Sequence, residues 1–120
     1  MSYQVYGIPN CNTVKKALAW LSQHAIPFEF HNLKKEGITS TLLMEWCQQV
    51  GWAVLVNKQG TTWKKLDASV QASIISESKA ISLMQKSVSI IKRPVITQHN
   101  NILAVGFNET LYKKIFVPSK

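Results

Sequence analysis

The most constraining feature of this sequence is a change from a strand pattern to a helix pattern and back again near its start. Residues 3–8 alternate and include β-branched and aromatic side chains, which predicts a first strand ending at Pro9. From Thr13 onward, apolar side chains recur at the spacing of one helix face: Val14, Ala17, Leu18 and Leu21. The alternation resumes at Phe28 and Phe30, which predicts a second strand. Together these elements form a βαβ unit, because parallel strands need a crossover helix.

The remaining patterns complete an α/β fold. Thr39 or Ser40 is expected to cap a helix that ends at Gly51, and the serine- and alanine-rich residues 69–86 predict one or two short helices. Residues 52–56 fit either a strand or a buried helical turn, and residues 57–63 are expected to form a loop. Residues 94–97 and 102–105 predict a hairpin, followed by a final helix. This order predicts one domain, residues 1–120, with a mixed sheet in a thioredoxin-like fold that carries a helical insertion.

The charge and the cysteine count limit the function classes. The formal net charge is +8, but the lysines are scattered doublets without a basic run, so a nucleic-acid site is not expected. An anionic small substrate such as glutathione fits the same charge. No apolar run is long enough to cross a bilayer, and the segment from Met1 to Gln4 lacks the features of a signal peptide. Two cysteines far apart need no oxidising compartment, which favours the cytoplasm.

Cys11 and Arg93 are the strongest candidates for chemistry. Cys11 is expected at the start of the first helix, where backbone N–H groups and the helix dipole favour a thiolate. Thr13 could cap this helix or donate its hydroxyl to the sulfur. Arg93 is the only arginine and directly precedes Pro94. Its guanidinium would add a fixed charge and a flat fork of donors for an anion.

The second cysteine and the histidines are weaker candidates. Cys47 lies in an apolar helical pattern and is expected to be packed in the core. The C-x-x-C position after Cys11 holds Val14, so an outside thiol must release any mixed disulfide. The histidines are dispersed and no Cys/His spacing suits zinc, so no metal site is expected.

Three segments together resemble the ArsC/Spx superfamily, and within it the YffB branch. They are residues 6–17 around Asn10-Cys11-Asn12-Thr13, residues 51–63, and residues 91–107 with Lys92-Arg93-Pro94-Val95. The resemblance covers nearly the whole chain and implies a thioredoxin-like fold with a helical insert, a cytoplasmic location and glutathione-linked thiol chemistry.

The resemblance also implies roles for single residues. ArsC-type arsenate reductases use one cysteine, matched by Cys11, and an arginine before a cis-proline, matched by Arg93 and Pro94. They use two further arginines around the oxyanion, whereas this chain has Asn57 or Lys58 near one of those positions and Ile102 near the other. Spx regulators usually carry a C-x-x-C switch, which this chain lacks.

We therefore expect a glutathione-dependent thiol reductase without a bound cofactor. Cys11 is the expected nucleophile and Arg93 the residue that stabilises its thiolate, with Asn10, Thr13, Lys58 and Pro94 binding the substrate. Glutathione is the expected co-substrate, with glutaredoxin as a further partner. Two alternatives remain open: a glutaredoxin-coupled arsenate reductase, and a non-enzymatic regulator of the Spx type that binds RNA polymerase.

Overall fold

The computed structural model describes residues 3–117, which form two compact units. One unit combines the chain up to Leu33 with the chain from Arg93 onward, and the other is the segment Lys34–Lys92. The single-domain interpretation stays a prediction. The expectation about a signal peptide falls partly on Met1 and Ser2, which lie outside the described residues.

The secondary structure follows the predicted order of elements. The four strands are β1 (Tyr3–Gly7), β2 (Phe28–Asn32), β3 (Val95–Gln98) and β4 (Asn101–Val105). The helices are α1 (Asn12–Gln23), α2 (Leu33–Glu36), α3 (Ser40–Val50), α4 (Trp52–Leu55), α5 (Thr61–Lys64), α6 (Ala68–Ser73), α7 (Glu77–Lys86) and α8 (Glu109–Phe116), with a single 3-10 turn at Val88–Ile90. None of the helices between residues 3 and 117 combines the length and the apolar character that crossing a membrane would require.

The first unit contains a four-stranded mixed sheet in the order β2-β1-β3-β4. β1 pairs with β2 in parallel, joined by the crossover helix α1, and with β3 in the antiparallel direction. β3 and β4 form the predicted hairpin, whose turn residues His99 and Asn100 both adopt positive φ angles of 52° and 65°. Two consecutive positive φ angles suit a two-residue turn that matches the twist of the strands.

One buried cluster joins the sheet of this unit to the helices α1 and α8. Its members are Val5, Ala17, Trp20, Leu21, Ile96, Ala104 and Tyr112. At the end of β1, Gly7 allows α1 to approach closely, since a Cβ at Gly7 would lie 2.9 Å from a methyl carbon of Val14. This close contact fixes the distance between the strand and the start of α1, and so the position of the turn that carries Cys11.

The second unit is helical, with a core that includes Leu43, Trp46, Leu55, Met84 and Ile90. The predicted ends of α3 are confirmed: the Thr39 hydroxyl accepts a hydrogen bond from the Leu42 N–H, and Gly51 follows with a φ of 84°. Residues 52–55 form a helical turn rather than a strand. The prediction of a loop over residues 57–63 is wrong for its last part, because α5 begins at Thr61. Four residues are too few for a periodic pattern to show.

Candidate active site

Cys11 is the N-cap residue of α1. It follows the exposed turn at Pro9 and Asn10, and its backbone is extended, with φ −129° and ψ 124°. Its carbonyl oxygen accepts the first helical hydrogen bond, from the Lys15 N–H at 2.9 Å. Because Cys11 occupies the cap position, the first of the two roles expected for Thr13, capping this helix, is wrong. Donation of the Thr13 hydroxyl to the sulfur stays a prediction.

The side chain of Cys11 faces the unpaired end of the helix backbone. No side-chain hydrogen bond caps α1, and the N–H groups of Val14 and Thr13 at this helix start lower the pKa of the Cys11 thiol. These are the orphan donors that every helix start presents. They place partial positive charge where a thiolate would carry its negative charge.

Arg93 reaches the same sulfur from the sheet. β1 and β3 run antiparallel with Tyr6 opposite Val95, so the residues just before β3 lie beside the end of β1. Arg93 stands two positions before Val95, and its Nη2 donates to the Cys11 Sγ over 3.9 Å. The pairing of these two strands therefore brings together residues that are 82 positions apart in the sequence.

The pKa of Cys11 lies below the usual thiol value. Partial burial alone would raise this pKa, but the hydrogen bond from Val14, the hydrogen bond and charge of Arg93, and the hydrogen bond from Thr13 outweigh it. Cys11 is half-buried, so the sulfur stays within reach of a solute. A low thiol pKa at a partly exposed site is the condition for a reactive cysteine.

Hydrogen bonds behind the site anchor the Arg93-Pro94 segment. The peptide bond between these residues is cis, as the resemblance implied, and Pro94 is buried. The Pro94 carbonyl accepts a hydrogen bond from the Gly106 N–H at 2.8 Å. The Gly106 carbonyl in turn accepts from the buried Tyr112 hydroxyl at 2.7 Å. A tyrosine in the core thus supports the backbone that carries Arg93.

The other predicted residues are distributed between the two units. Asn10 is exposed in the turn before Cys11. Lys58 belongs to the helical unit, where its Nζ lies 5.9 Å from the ring centroid of Trp52 and 5.3 Å from that of Trp63. Two indole rings therefore hold its ammonium group through cation–π contacts.

Cys47 is a core residue, as predicted. Its side chain is 5% exposed, and burial, with a smaller effect of Glu77, raises its pKa to about 11. The thiol form therefore predominates at neutral pH, and Cys47 lacks the properties of a nucleophile.

The sequence did not reveal three supporting residues. Val14 appeared as a core position and as the residue in the C-x-x-C position, but not as a group that lowers the pKa of Cys11. Gly7 and Tyr112 gave no signal of a role near the site. The position of Val14 three residues after Cys11 could have indicated the N–H contact, because a cap side chain reaches the second or third residue of a helix. Tyr112 depends on tertiary packing and left no local pattern.

The arrangement is suited to nucleophilic chemistry at sulfur. It offers a thiol of lowered pKa, two backbone N–H groups and one guanidinium, all within the first unit. Within residues 3–117, the cysteine, histidine and carboxylate side chains form no group of three that could hold a metal ion.

Comparisons with known proteins agree with this architecture. An uncharacterised protein of Haemophilus influenzae is 44% identical over 112 residues, covering 93% of this chain and 96% of the relative. The solved structure of a YFFB protein is 39% identical with a TM-score of 0.89, covering 97% of this chain and 100% of that one. The global transcriptional regulator Spx of Streptococcus mutans is 30% identical over 103 residues, covering 84% of this chain and 73% of the regulator.

The family assignment agrees with both the sequence pattern and the fold. The ArsC family profile matches residues 6–115. The predicted fold class, an α/β thioredoxin-like fold with a helical insertion, is confirmed by the mixed sheet and by the similarity to the YFFB structure. This chain belongs to the ArsC family, whose fold is that of a thiol reductase.

Proposed function

We propose that this protein is a glutathione-dependent thiol reductase that acts through Cys11 alone. The observation that carries the proposal is the environment of Cys11. Two backbone N–H groups and the Arg93 guanidinium lower the pKa of its thiol, and the residue is partly exposed. We place this chemistry in the cytoplasm, where glutathione keeps thiols reduced.

The reaction is two successive thiol–disulfide exchanges. The Cys11 thiolate attacks the glutathione sulfur of a mixed disulfide between glutathione and a substrate thiol. A new S–S bond joins Cys11 to the glutathione sulfur, and the substrate sulfur leaves as a thiolate that takes a proton from water. A second glutathione thiolate then attacks the glutathione sulfur, forming glutathione disulfide and returning Cys11 as a thiolate. Over both steps, the glutathionylated substrate and one glutathione thiol become the free substrate thiol and glutathione disulfide.

An external thiol is required for the second step. Cys47 is the only other cysteine of the chain, and its burial and raised pKa keep it as an unreactive thiol. Val14 occupies the position where a resolving cysteine of a C-x-x-C motif would stand. Glutathione or a glutaredoxin meets this requirement, and neither needs to remain bound between turnovers.

The charges near Cys11 favour an anionic tripeptide such as glutathione. Arg93 provides a flat donor fork for a carboxylate, and the exposed Lys15 lies one helical turn after Cys11. The exposed Asn10 and Thr13 complete the proposed binding surface, and the buried Pro94 shapes it through the backbone next to Arg93. The sequence-based expectation that Lys58 binds the substrate stays a prediction; within its own unit the Lys58 ammonium lies over the rings of Trp52 and Trp63.

Arsenate reduction is the second candidate, because the chain belongs to the ArsC family. Arsenate is a compact oxyanion whose negative charge is spread over several oxygen atoms. The ArsC-type arsenate reductases that this chain resembles surround it with three arginines, whereas Arg93 is the only arginine here. Loss of one preorganised donor costs a rate factor on the order of a hundred or more. We therefore rank arsenate below glutathione mixed disulfides.

A regulatory role is favoured by one observation, the 30% identity to the Spx regulator of Streptococcus mutans. A regulator of this type would bind RNA polymerase without turnover. Co-sedimentation of the purified protein with RNA polymerase tests this role. Binding that survives Cys11→Ser would support a regulator, and its absence at micromolar concentrations would exclude it.

The enzymatic proposal is tested by steady-state turnover. A glutathionylated peptide and arsenate are offered separately, each with glutathione and with glutaredoxin, and formation of glutathione disulfide is followed. We expect turnover of the peptide above that of a blank without the protein for the wild-type protein and for Cys47→Ala, and no turnover above the blank for Cys11→Ser. Equal rates for wild type and Cys11→Ser would refute the proposal, and faster reduction of arsenate than of the peptide would reverse the ranking.

A further inference from the structure

The helical unit contains an open surface cavity of about 590 Å³ that the proposed reductase chemistry does not use. It lies between the segments that contain α6 and α7, and all its lining residues fall between Leu66 and Ser87. Binding sites for small molecules usually have volumes of about 300–1,000 Å³. The cavity is therefore large enough for a ligand of its own.

The lining of this cavity separates apolar from polar groups. Its walls are formed by the side chains of Leu66, Val70, Ile74 and Leu83. On α7, the positions 79, 82, 83 and 86 follow the spacing of one helix face, so Lys79 and Lys86 lie on the same side as Leu83. Among the lining residues that the structure describes, two are lysines and none is acidic.

The polar groups at this cavity are available to a ligand. Both Lys79 and Lys86 are exposed, and neither ammonium group has a carboxylate partner within residues 3–117. Ser82 is exposed as well and also faces the cavity. An ammonium pair and a hydroxyl beside an apolar wall match a ligand with an anionic head and a hydrocarbon body.

We propose that this cavity binds a small carboxylate amphiphile, with its hydrocarbon chain against Val70, Ile74 and Leu83 and its carboxylate between Lys79 and Lys86. Charge complementarity decides against a second copy of the chain as the occupant. The chain has 14 basic and six acidic residues, so the surface of a second copy would repel the two lysines.

The first experiment titrates isotope-labelled protein with decanoate, octanoate and decanol below their aggregation concentrations, followed by amide chemical shifts. We expect saturable binding of decanoate with the largest shifts in residues 66–87. Octanoate, which has two methylene groups fewer than decanoate, should bind up to about fifteenfold more weakly, because each buried methylene contributes up to about fourfold to the affinity. Decanol should bind roughly tenfold more weakly than decanoate, because it lacks the charge.

The second experiment tests the lysines with a matched control. Lys79→Gln combined with Lys86→Gln should weaken decanoate binding roughly tenfold, at up to about fivefold for each exposed charge. Lys113→Gln combined with Lys114→Gln removes the same net charge from α8 and should change the affinity less than about twofold. Circular dichroism checks that both variants are folded.

Three results would overturn the proposal. Equal affinities for decanoate and decanol would show that the lysines do not bind the carboxylate. The same would follow if replacing Lys79 and Lys86 changed the decanoate affinity no more than replacing Lys113 and Lys114. Decanoate shifts centred outside residues 66–87 would exclude this cavity as the site. An acidic amphipathic peptide that shifts residues 66–87 while decanoate does not would assign the surface to a protein partner instead.

Discussion

Replacement of Arg93 by glutamine should make Cys11 less reactive on the acidic side of its pH–rate profile. The guanidinium is the only charged side chain that donates to the Cys11 sulfur, over 3.9 Å, in the part of the chain the structure describes. Its removal leaves the N–H groups of Val14 and Thr13 in place. The pKa of Cys11 should therefore rise without returning fully to that of an unassisted buried thiol.

The size of this effect follows from the separation of the two charges. At about 4 Å, unit charges attract by about 1 kcal/mol in water and by about 4 kcal/mol at an effective dielectric constant of about 20. Both side chains are half-buried, so solvent screens the pair and the lower figure is the better guide. About 1 kcal/mol corresponds to roughly a fivefold loss of the thiolate form wherever the thiol predominates.

The assay is the rate of alkylation of Cys11 by iodoacetamide as a function of pH. Arg93→Gln should lower the rate roughly fivefold on the acidic side and approach the wild-type rate on the alkaline plateau, where both proteins carry the thiolate. Arg93→Lys keeps the charge but not the donor fork, so its alkylation rate on the acidic side should lie between those of Arg93→Gln and the wild type. Lys114→Gln removes an equal charge from α8 and serves as the control.

A profile of Arg93→Gln that superimposes on the wild-type profile would refute this reasoning. The same would follow if Lys114→Gln shifted the profile as far as Arg93→Gln, because the effect would then come from net charge. Cys47 contributes little to the alkylation signal in folded protein, since it is buried and its pKa is raised to about 11.

Three further predictions concern the stability of the protein. Gly7→Ala should lower the free energy of unfolding in urea by about 1–3 kcal/mol, because its Cβ would meet a methyl carbon of Val14 at 2.9 Å; a loss below about 0.5 kcal/mol would contradict the close-packing argument. Tyr112→Phe leaves the Gly106 carbonyl without its buried donor and should cost about 1–3 kcal/mol in the same measurement; no loss would show that this hydrogen bond does not support the segment. The neutral Cys47 thiol, with a pKa of about 11, contributes stability in full below about pH 9 and loses it as pH rises toward about 11. Wild type should therefore lose more unfolding free energy between about pH 8 and about 10.5 than Cys47→Ala, and equal losses would exclude a buried neutral thiol.

Local patterns were sufficient for the elements that flank the site. The alternation in residues 3–8 and the helical spacing from Val14 to Leu21 predicted β1 and α1, and the two β-rich segments around His99 and Asn100 predicted the hairpin. A cysteine between a strand and a helix pattern also indicated a position at the helix start. These features depend on neighbours in the sequence, so the sequence carries them directly.

Contacts that depend on tertiary packing could not be predicted in the same way. The cation–π contacts of Lys58 join residues from α4, α5 and the turn between them, and α4 and α5 are each too short to give a periodic signal. The hydrogen bond from Tyr112 to Gly106 forms only when α8 packs on the sheet. The contact of Arg93 with Cys11 was inferred from residue types, and its geometry follows from the register of β1 and β3.

The most direct test of the central claim is the mass of the intact protein after incubation with glutathione disulfide. The account predicts one glutathione adduct on the wild-type protein and on Cys47→Ala, no adduct on Cys11→Ser, and loss of the adduct when reduced glutathione is added. An adduct that persists in Cys11→Ser, or a wild-type protein that remains unmodified while its Cys11 is alkylated by iodoacetamide, would contradict it.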